Sequence, residues 1–316
     1  MKMLMVLCLA VALAQRVLAC DLCAIYSAAQ ARGDIGHGTF VGVAEQFTHF
    51  GTVQADGVNV GNPSGQYLDS SISQLFLGYN FSERVGLQFN LPVIYRSYKR
   101  PDGAGGNERG AESGLGDASL LLNVVPVHTL RKDFTFSWGL LAGIKFPTWG
   151  TDRIKEEFSE VENPLGPPSG IHGHDLTLGS GSYDGIIGSS VYWRHRRVFF
   201  AASVQYAIRS EGDFHYQFAN DLTWSGGPGC LVMLNDYFTL SLQALVLGEH
   251  KGKDTFQGEK AEDTGVTAVY LGPQLALTWR EHLSVQAGVD VPVSMQNTAL
   301  QTVPDYRIRA SLTWHF

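Results

Sequence analysis

Residues 306–316 read YRIRASLTWHF, and the alternation along them has no fault. Tyr306, Ile308, Ala310, Leu312, Trp314 and Phe316 share one face, while Arg307, Arg309, Ser311, Thr313 and His315 share the other. Successive side chains of a strand point to opposite sides, so a period of two over this length specifies a β-strand with one apolar and one polar face. The last strand of a soluble sheet usually frays into polar residues. A barrel closed in a membrane needs a last strand of this kind, apolar toward lipid, polar toward the interior, and paired with the first strand so that no edge is left.

The rest of the chain supplies partners. Residues 283–293 put Leu283, Val285, Ala287, Val289, Val291 and Val293 on one face and Ser284, Gln286 and Asp290 on the other. Residues 85–95 alternate in the same way, with Gln88 and Asn90 on the polar side, as do residues 134–146. Further strands are expected at 39–50, 70–81, 115–125, 182–193, 198–209, 219–234, 237–248 and 265–279, which makes twelve. The first has a mixed phase, because Val41 and Val43 share a face with Glu45. Pro92 removes a ladder donor and predicts a bulge or a loop-proximal strand end. Long loops are expected at 51–66, 97–114, 147–181, 210–218, 249–264 and 294–305, and they alternate with tight turns such as 82–84, 194–197 and 280–282. An even strand count with this asymmetry predicts an all-β fold. The expected form is a transmembrane antiparallel up-and-down β-barrel of about 12 strands over residues 38–316, with both termini in the periplasm of a bacterial envelope.

Composition agrees. Of 316 residues, 36 are Gly, 11% are aromatic and only 17% are charged. Mean hydropathy is near zero, as expected when each apolar residue has a polar neighbour. After the N-terminus no apolar run has the length of a transmembrane helix. A net charge of −7 argues against a nucleic-acid partner.

Residues 1–19 read as a secretory signal peptide, with Lys2 ahead of the apolar stretch 4–14 and small or short apolar residues at Val17-Leu18-Ala19. Val17-Leu18-Ala19-Cys20 also resembles a loose lipobox. Residues 20–37 form an N-terminal periplasmic segment in which residues 24–32 have helix formers. Cys20-x-x-Cys23 has two readings: a local disulfide made in an oxidising compartment, or a redox or soft-metal site. No second cysteine pair completes a zinc site. No cofactor is expected other than a metal at Cys20 and Cys23.

Several stretches also resemble a known family. Gly114-Leu115-Gly116-Asp117 resembles the G-L-G-D motif of the outer-membrane β-barrels grouped as the MetA-pathway-of-phenol-degradation transporter family. Residues 178–184, LGSGSYD, resemble that family's L-G-x-G-S-x-D entry to a mid-chain strand. Residues 283–293, Val303-Pro304-Asp305-Tyr306-Arg307 and the closing Trp314-His315-Phe316 are similar too, so the resemblance spans most of the mature chain. It implies an outer-membrane barrel that takes part in uptake of small, often hydrophobic, molecules. Cys20-x-x-Cys23 departs from that pattern.

If the apolar faces meet lipid, the opposite faces line the lumen. That assigns Gln88, Asn90, Asp117, Lys145, Arg209, Gln286, Asp290, Arg307 and Arg309 to the interior. Such a row suits a polar channel, or equally a lumen closed by ion pairs such as Arg307 or Arg309 with Asp290. Arg307 and Arg309 are expected nearest the external mouth. In the longest loop, His172-Gly173-His174-Asp175 has imidazoles and a carboxylate spaced for a metal, or is simply a solvated loop. Gly-x-Ser-x-Gly, His-Glu-x-x-His and P-loop signatures do not occur, and no enzyme is expected. The expected function is an outer-membrane channel or transporter for small molecules. The alternative is a non-conducting barrel that binds metal or docks a redox partner through Cys20 and Cys23. Expected partners are outer-membrane lipid, a small-molecule solute, and the barrel assembly machinery through Phe316.

Overall fold

The structure is a computed structural model and describes residues 37–102, 105–158, 169–235, 237–280 and 282–316. Cys20, Cys23 and the helix expected at 24–32 lie outside the described residues. Twelve strands form one closed antiparallel barrel. They are β1 (Gly38–Ala55), β2 (Tyr67–Ser82), β3 (Val85–Pro101), β4 (in two parts, Asn107–Leu115 and Ser119–Arg131), β5 (Phe134–Lys145) and β6 (Asp184–His195). After these come β7 (Val198–Ile208), β8 (Asp221–Leu234), β9 (Phe238–Lys251), β10 (Val266–Trp279), β11 (Leu283–Asn297) and β12 (Leu300–His315). Each strand pairs with its sequence neighbours. β12 then pairs with β1 from Phe40 opposite His315 to Ala55 opposite Leu300, which removes both sheet edges.

The expected asymmetry is present. At one end, the turn end, connections have two or three residues. Both the start of β1 and the end of β12 lie there, where the Phe316 N–H bonds the Thr39 carbonyl at 3.0 Å. At the loop end a small three-stranded sheet, Tyr216–Gln217 with Thr255–Phe256 and Glu259–Lys260, sits above the rim.

Several boundaries differ from expectation, and the reasons are bulges. β12 begins at Leu300 and β11 runs to Asn297, so the loop expected at 294–305 is a tight hairpin. The ladder slips between Phe50 opposite Pro304 and His49 opposite Tyr306. It slips again between Val269 opposite Ser294 and Tyr270 opposite Pro292. A bulge inverts which side chains face inward, so the clean alternation stops at Val293 and resumes at Tyr306 although the strands continue. The loop expected at 97–114 is mostly hairpin, since β3 extends to Pro101 and pairs with Asn107–Leu115. Pro92 does mark a bulge. Its carbonyl accepts the Gly116 N–H at 2.8 Å, and β4 is broken at residues 116–118 opposite it.

The wall is inside-out relative to a soluble protein. Leu75, Leu77, Tyr79 and Phe81 on β2 are exposed, as are Val289, Val291 and Val293 on β11 and Ile308 and Leu312 on β12. Their alternating neighbours Gln74, Asp290, Arg307 and Arg309 are buried. Burial of polar groups under an apolar exterior is stable only where lipid covers the outside and partners are found within. Near the turn end the interior is apolar, with Phe40, Ala44 and Phe76 packed together. Gly78 permits this, because a Cβ there would lie 2.0 Å from the Phe40 ring. Glu45 places a carboxylate among the outward positions. It lies opposite Ala310 and Ser73, accepts a hydrogen bond from the Ser73 hydroxyl through Oε2, and leaves Oε1 buried with no partner.

Candidate functional site

A chain of charges runs around half the inner rim at the loop end. Lys145, the last residue of β5, lies opposite Asp184, the first residue of β6. Its Nζ is 2.8 Å from Asp184 Oδ2 and 3.0 Å from Asp117 Oδ2. Arg209, just past β7, reaches Asp184 at 2.9 Å and Asp221 at 2.7 Å. Asp221 opens β8 opposite Lys251, and Lys251 pairs with Asp254 at 2.8 Å. Strand pairing thus sets acid, base, acid, base, acid and base side by side from β4 to β9. Every one of these side chains is at most about a tenth exposed. At such burial each charge is tolerable only because its partner is present.

A second cluster lies deeper, on β9 to β12. Arg309 holds Asp290 through two bonds, Nε to Oδ2 at 2.5 Å and Nη2 to Oδ1 at 2.9 Å, and its Nη1 reaches Gln274 at 3.1 Å. Gln274 in turn bonds Gln286 at 3.4 Å. Arg307 turns instead to Glu249 at 2.8 Å and lies 4.1 Å over the Tyr270 ring. Because β12 starts at Leu300, Arg307 and Arg309 lie well down the strand and not at the mouth, which corrects the expectation. Gln88 bonds Asn90 at 2.6 Å, and Asn90 bonds Ser119 at 3.1 Å.

The β5–β6 connection is the third component. Its residues 169–182 fold into the mouth of the barrel as a lid. The Thr302 N–H of β12 bonds the Gly170 carbonyl at 2.8 Å, and Gln66 accepts the Gly170 N–H at 2.9 Å. Ile171 and Leu176, both fully buried, pack on inward-facing Leu68 and Tyr98. Arg96 of β3 points inward and donates to the carbonyls of Asp175 and Thr177, the latter at 2.6 Å. Ser180 bonds Asp117 and Lys145. Gly181 takes the positive φ of +69° that turns the chain into β6. Ser182 then bonds Asp184 at 2.9 Å. Arg153, within the 3₁₀ turn Asp152–Lys155, and Glu156, just after it, tie the far part of the connection to Glu112 and Arg100.

Within the lid the helical turn Gly173–Leu176 brings His172, His174 and Asp175 together. The two imidazoles stack with centroids 5.5 Å apart. His174 Nδ1 is 3.0 Å from Glu157 and its Nε2 is 3.5 Å from Asp175. His172 Nδ1 is 3.2 Å from Asp263. Burial disfavours the charged ring of His174, but Asp175 and Glu157 outweigh it and push its pKa up to about 10. Burial works against the charged form of both carboxylates as well, and His174 more than offsets it, so Glu157 and Asp175 are lowered.

Of the nine residues expected to line the lumen, Gln88, Asn90, Asp117, Lys145, Arg209, Asp290, Arg307 and Arg309 are buried, and Gln286 is half-buried. The structure joins Asp117, Lys145 and Arg209 in one network and Gln286, Asp290 and Arg309 in another. Sequence reading missed Asp184, Asp221, Glu249, Lys251 and Arg96. Asp184 was legible as the inward partner of Ile186 by parity. Glu249 and Lys251 fell in a loop by expectation, although they continue β9.

No family model matches the chain, and no curated protein matches it. Among solved structures the chain is similar to the COG4313 outer membrane channel from Pseudomonas putida F1, with a TM-score of 0.64 and 16% identity over 90% of this chain and 99% of that one. It also aligns with the translocator domain of the autotransporter NalP from Neisseria meningitidis, at a TM-score of 0.43 and 12% identity over 92% of this chain and 93% of that chain. The fold is a closed twelve-strand antiparallel barrel, similar to that of the COG4313 outer membrane channel.

Proposed function

We propose that the chain is an outer-membrane channel for small molecules, with its turn end and both termini in the periplasm and the β5–β6 lid controlling entry. The observation that carries this reading is the charged rim with the lid folded into it. A barrel needed only as a scaffold gains nothing from a loop held in its mouth by side chains that project from the wall. The rim offers alternating cations and carboxylates that can shed one set of hydrogen bonds and take another as the lid moves. The apolar solute class comes from the resemblance carried by Gly114-Leu115-Gly116-Asp117 and residues 178–184. The structure gives those residues a shared place, since Asp117, Ser180 and Asp184 meet at Lys145. Outer-membrane lipid covers the belt, and Phe316, which is exposed, is the contact for the assembly machinery.

Liposome swelling tests the reading. Vesicles that contain the folded barrel are expected to swell in isotonic solutions of small neutral solutes and not of large oligosaccharides. Vesicles that resist every solute would support the alternative, a sealed barrel that acts through Cys20-x-x-Cys23.

A further inference from the structure

We propose that His172, His174 and Asp175 form a site for a divalent transition-metal ion, and that the ion fastens the lid to the neighbouring loop. One ligand atom from each of the three residues lies within 4.8 Å of the others. A tetrahedral zinc site with bonds of about 2.0–2.2 Å has ligand atoms roughly 3.4 Å apart. Small rotamer adjustments therefore bring the three onto one ion. The turn Gly173–Leu176 is what places them, since the His172 N–H bonds Asp175 Oδ2 at 3.0 Å and fixes both residues on one side of the turn.

The surroundings favour a cation of charge two. Three carboxylates, Glu157, Asp175 and Asp263, approach the two imidazoles to between 3.0 and 4.0 Å. The cations near the cluster are already engaged, Arg96 by the carbonyls of Asp175 and Thr177 and Lys251 by Asp254. The site is enclosed on one side and open on the other. His174 is 4% exposed and His172 12%, while Asp175 is 35% exposed and gives an ion a way in. Two imidazoles with a carboxylate suit zinc, nickel or copper(II) and not magnesium or calcium, which take oxygen ligands.

The consequence follows from where the ligands come from. His172, His174 and Asp175 belong to the lid, Glu157 to the start of the same connection, and Asp263 to the β9–β10 connection. An ion held by His172 beside Asp263 would tie the lid to a second loop at the rim. The effect on passage rests on the channel reading, whereas binding does not.

The test is calorimetry on the folded full-length barrel in detergent, in a Cys20→Ser/Cys23→Ser background so that the N-terminal pair contributes nothing. Zinc and nickel chloride are expected to bind saturably at one ion per chain, and magnesium chloride is not. His172→Asn with His174→Asn is expected to weaken zinc binding at least tenfold. His174 is buried, so Asp263→Asn provides a milder variant, expected to weaken binding by a few-fold with the heat-modifiable gel mobility of a folded barrel kept. Cobalt(II) bound to the unmutated lid is expected to give the visible absorption of a site with nitrogen ligands. Absence of saturable zinc or nickel binding would overturn the proposal. So would unchanged affinity in the folded histidine variant, or a cobalt spectrum identical to the hexaaquo ion. If zinc binds and vesicles that carry the metal-free protein do not swell, the site stands and the channel reading fails.

Discussion

The carboxylate of Asp117 accepts two hydrogen bonds from Ser180, from the backbone N–H at 2.8 Å and from the hydroxyl at 2.7 Å. These residues belong to two glycine-rich stretches far apart in the chain. One breaks β4 and the other ends the lid, so the bond ties the wall to the lid. Lys145 lies against both and is 2% exposed. Ser180→Ala removes the hydroxyl and is expected to cost about 1 kcal/mol. Asp117→Ala removes one of the two carboxylates that pair with Lys145 and is expected to cost about 3 kcal/mol. Urea unfolding of the barrel in detergent, followed by tryptophan fluorescence, measures both, and equal midpoints for the two variants would contradict the ranking.

Arg96 holds the lid by its backbone. Its guanidinium donates to the carbonyls of Asp175 and Thr177, so Arg96→Ala removes an anchor while the lid residues themselves are unchanged. The expected result is a larger or more frequent open state with little change in assembly. Limited proteolysis reads the same event, with faster cleavage within residues 169–182 in the variant.

Glu45 places a carboxyl on the lipid-facing wall, about midway along the outward row from Tyr306 to Trp314. Acidic side chains on that face destabilise barrels by less than the ~2–4 kcal/mol of a basic residue at mid-membrane. Glu45→Leu is therefore expected to raise stability by about 1 kcal/mol, and the urea midpoint of unfolding in vesicles measures it. A lower midpoint would mean that the Ser73–Glu45 bond outweighs the cost of holding a carboxyl in the belt.

The hairpin that extends β3 and β4 beyond the wall makes the lid sensitive to acid. Burial raises the pKa of Glu108, but the hydroxyl of Tyr98 and the guanidinium of Arg100 outweigh it and leave it lowered. A group lowered in the folded state contributes stability above its unfolded pKa of about 4.3 and loses it as pH falls through the folded value. Arg100 also holds Glu156 of the lid connection, at 2.7 Å. Acidification below about pH 4 is thus expected to loosen the hairpin and with it the connection. Proteolysis of residues 105–112 by an acid-active protease checks this, and Glu108→Gln is expected to remove most of the dependence.

Strand number and facing were legible because an alternating pattern survives wherever a ladder is regular. Tyr306 to Phe316 carried that pattern whole. It failed at Asp305 and at Ser294, where single bulges shift the phase and a continuing strand looks like a loop. Glu249 and Lys251 were lost for a related reason. They are charged residues at the end of β9, and charge at a strand end reads as solvent exposure when here it faces the barrel interior. The pairing of Arg309 with Asp290 followed from adjacent strands. The pairing of Arg307 with Glu249 spans β9 to β12 across the interior, and only the closed geometry brings them together. The lid had no local signal at all. Its place in the mouth depends on Arg96, Gln66 and Thr302, which lie on other elements.

Single-channel recording in planar bilayers tests the central claim, that this barrel conducts and that the β5–β6 lid controls it. Wild type is expected to give discrete conductance steps, and Arg96→Ala steps of larger size or longer duration. Folded protein that gives no steps in either form, or identical steps in both, would contradict the account.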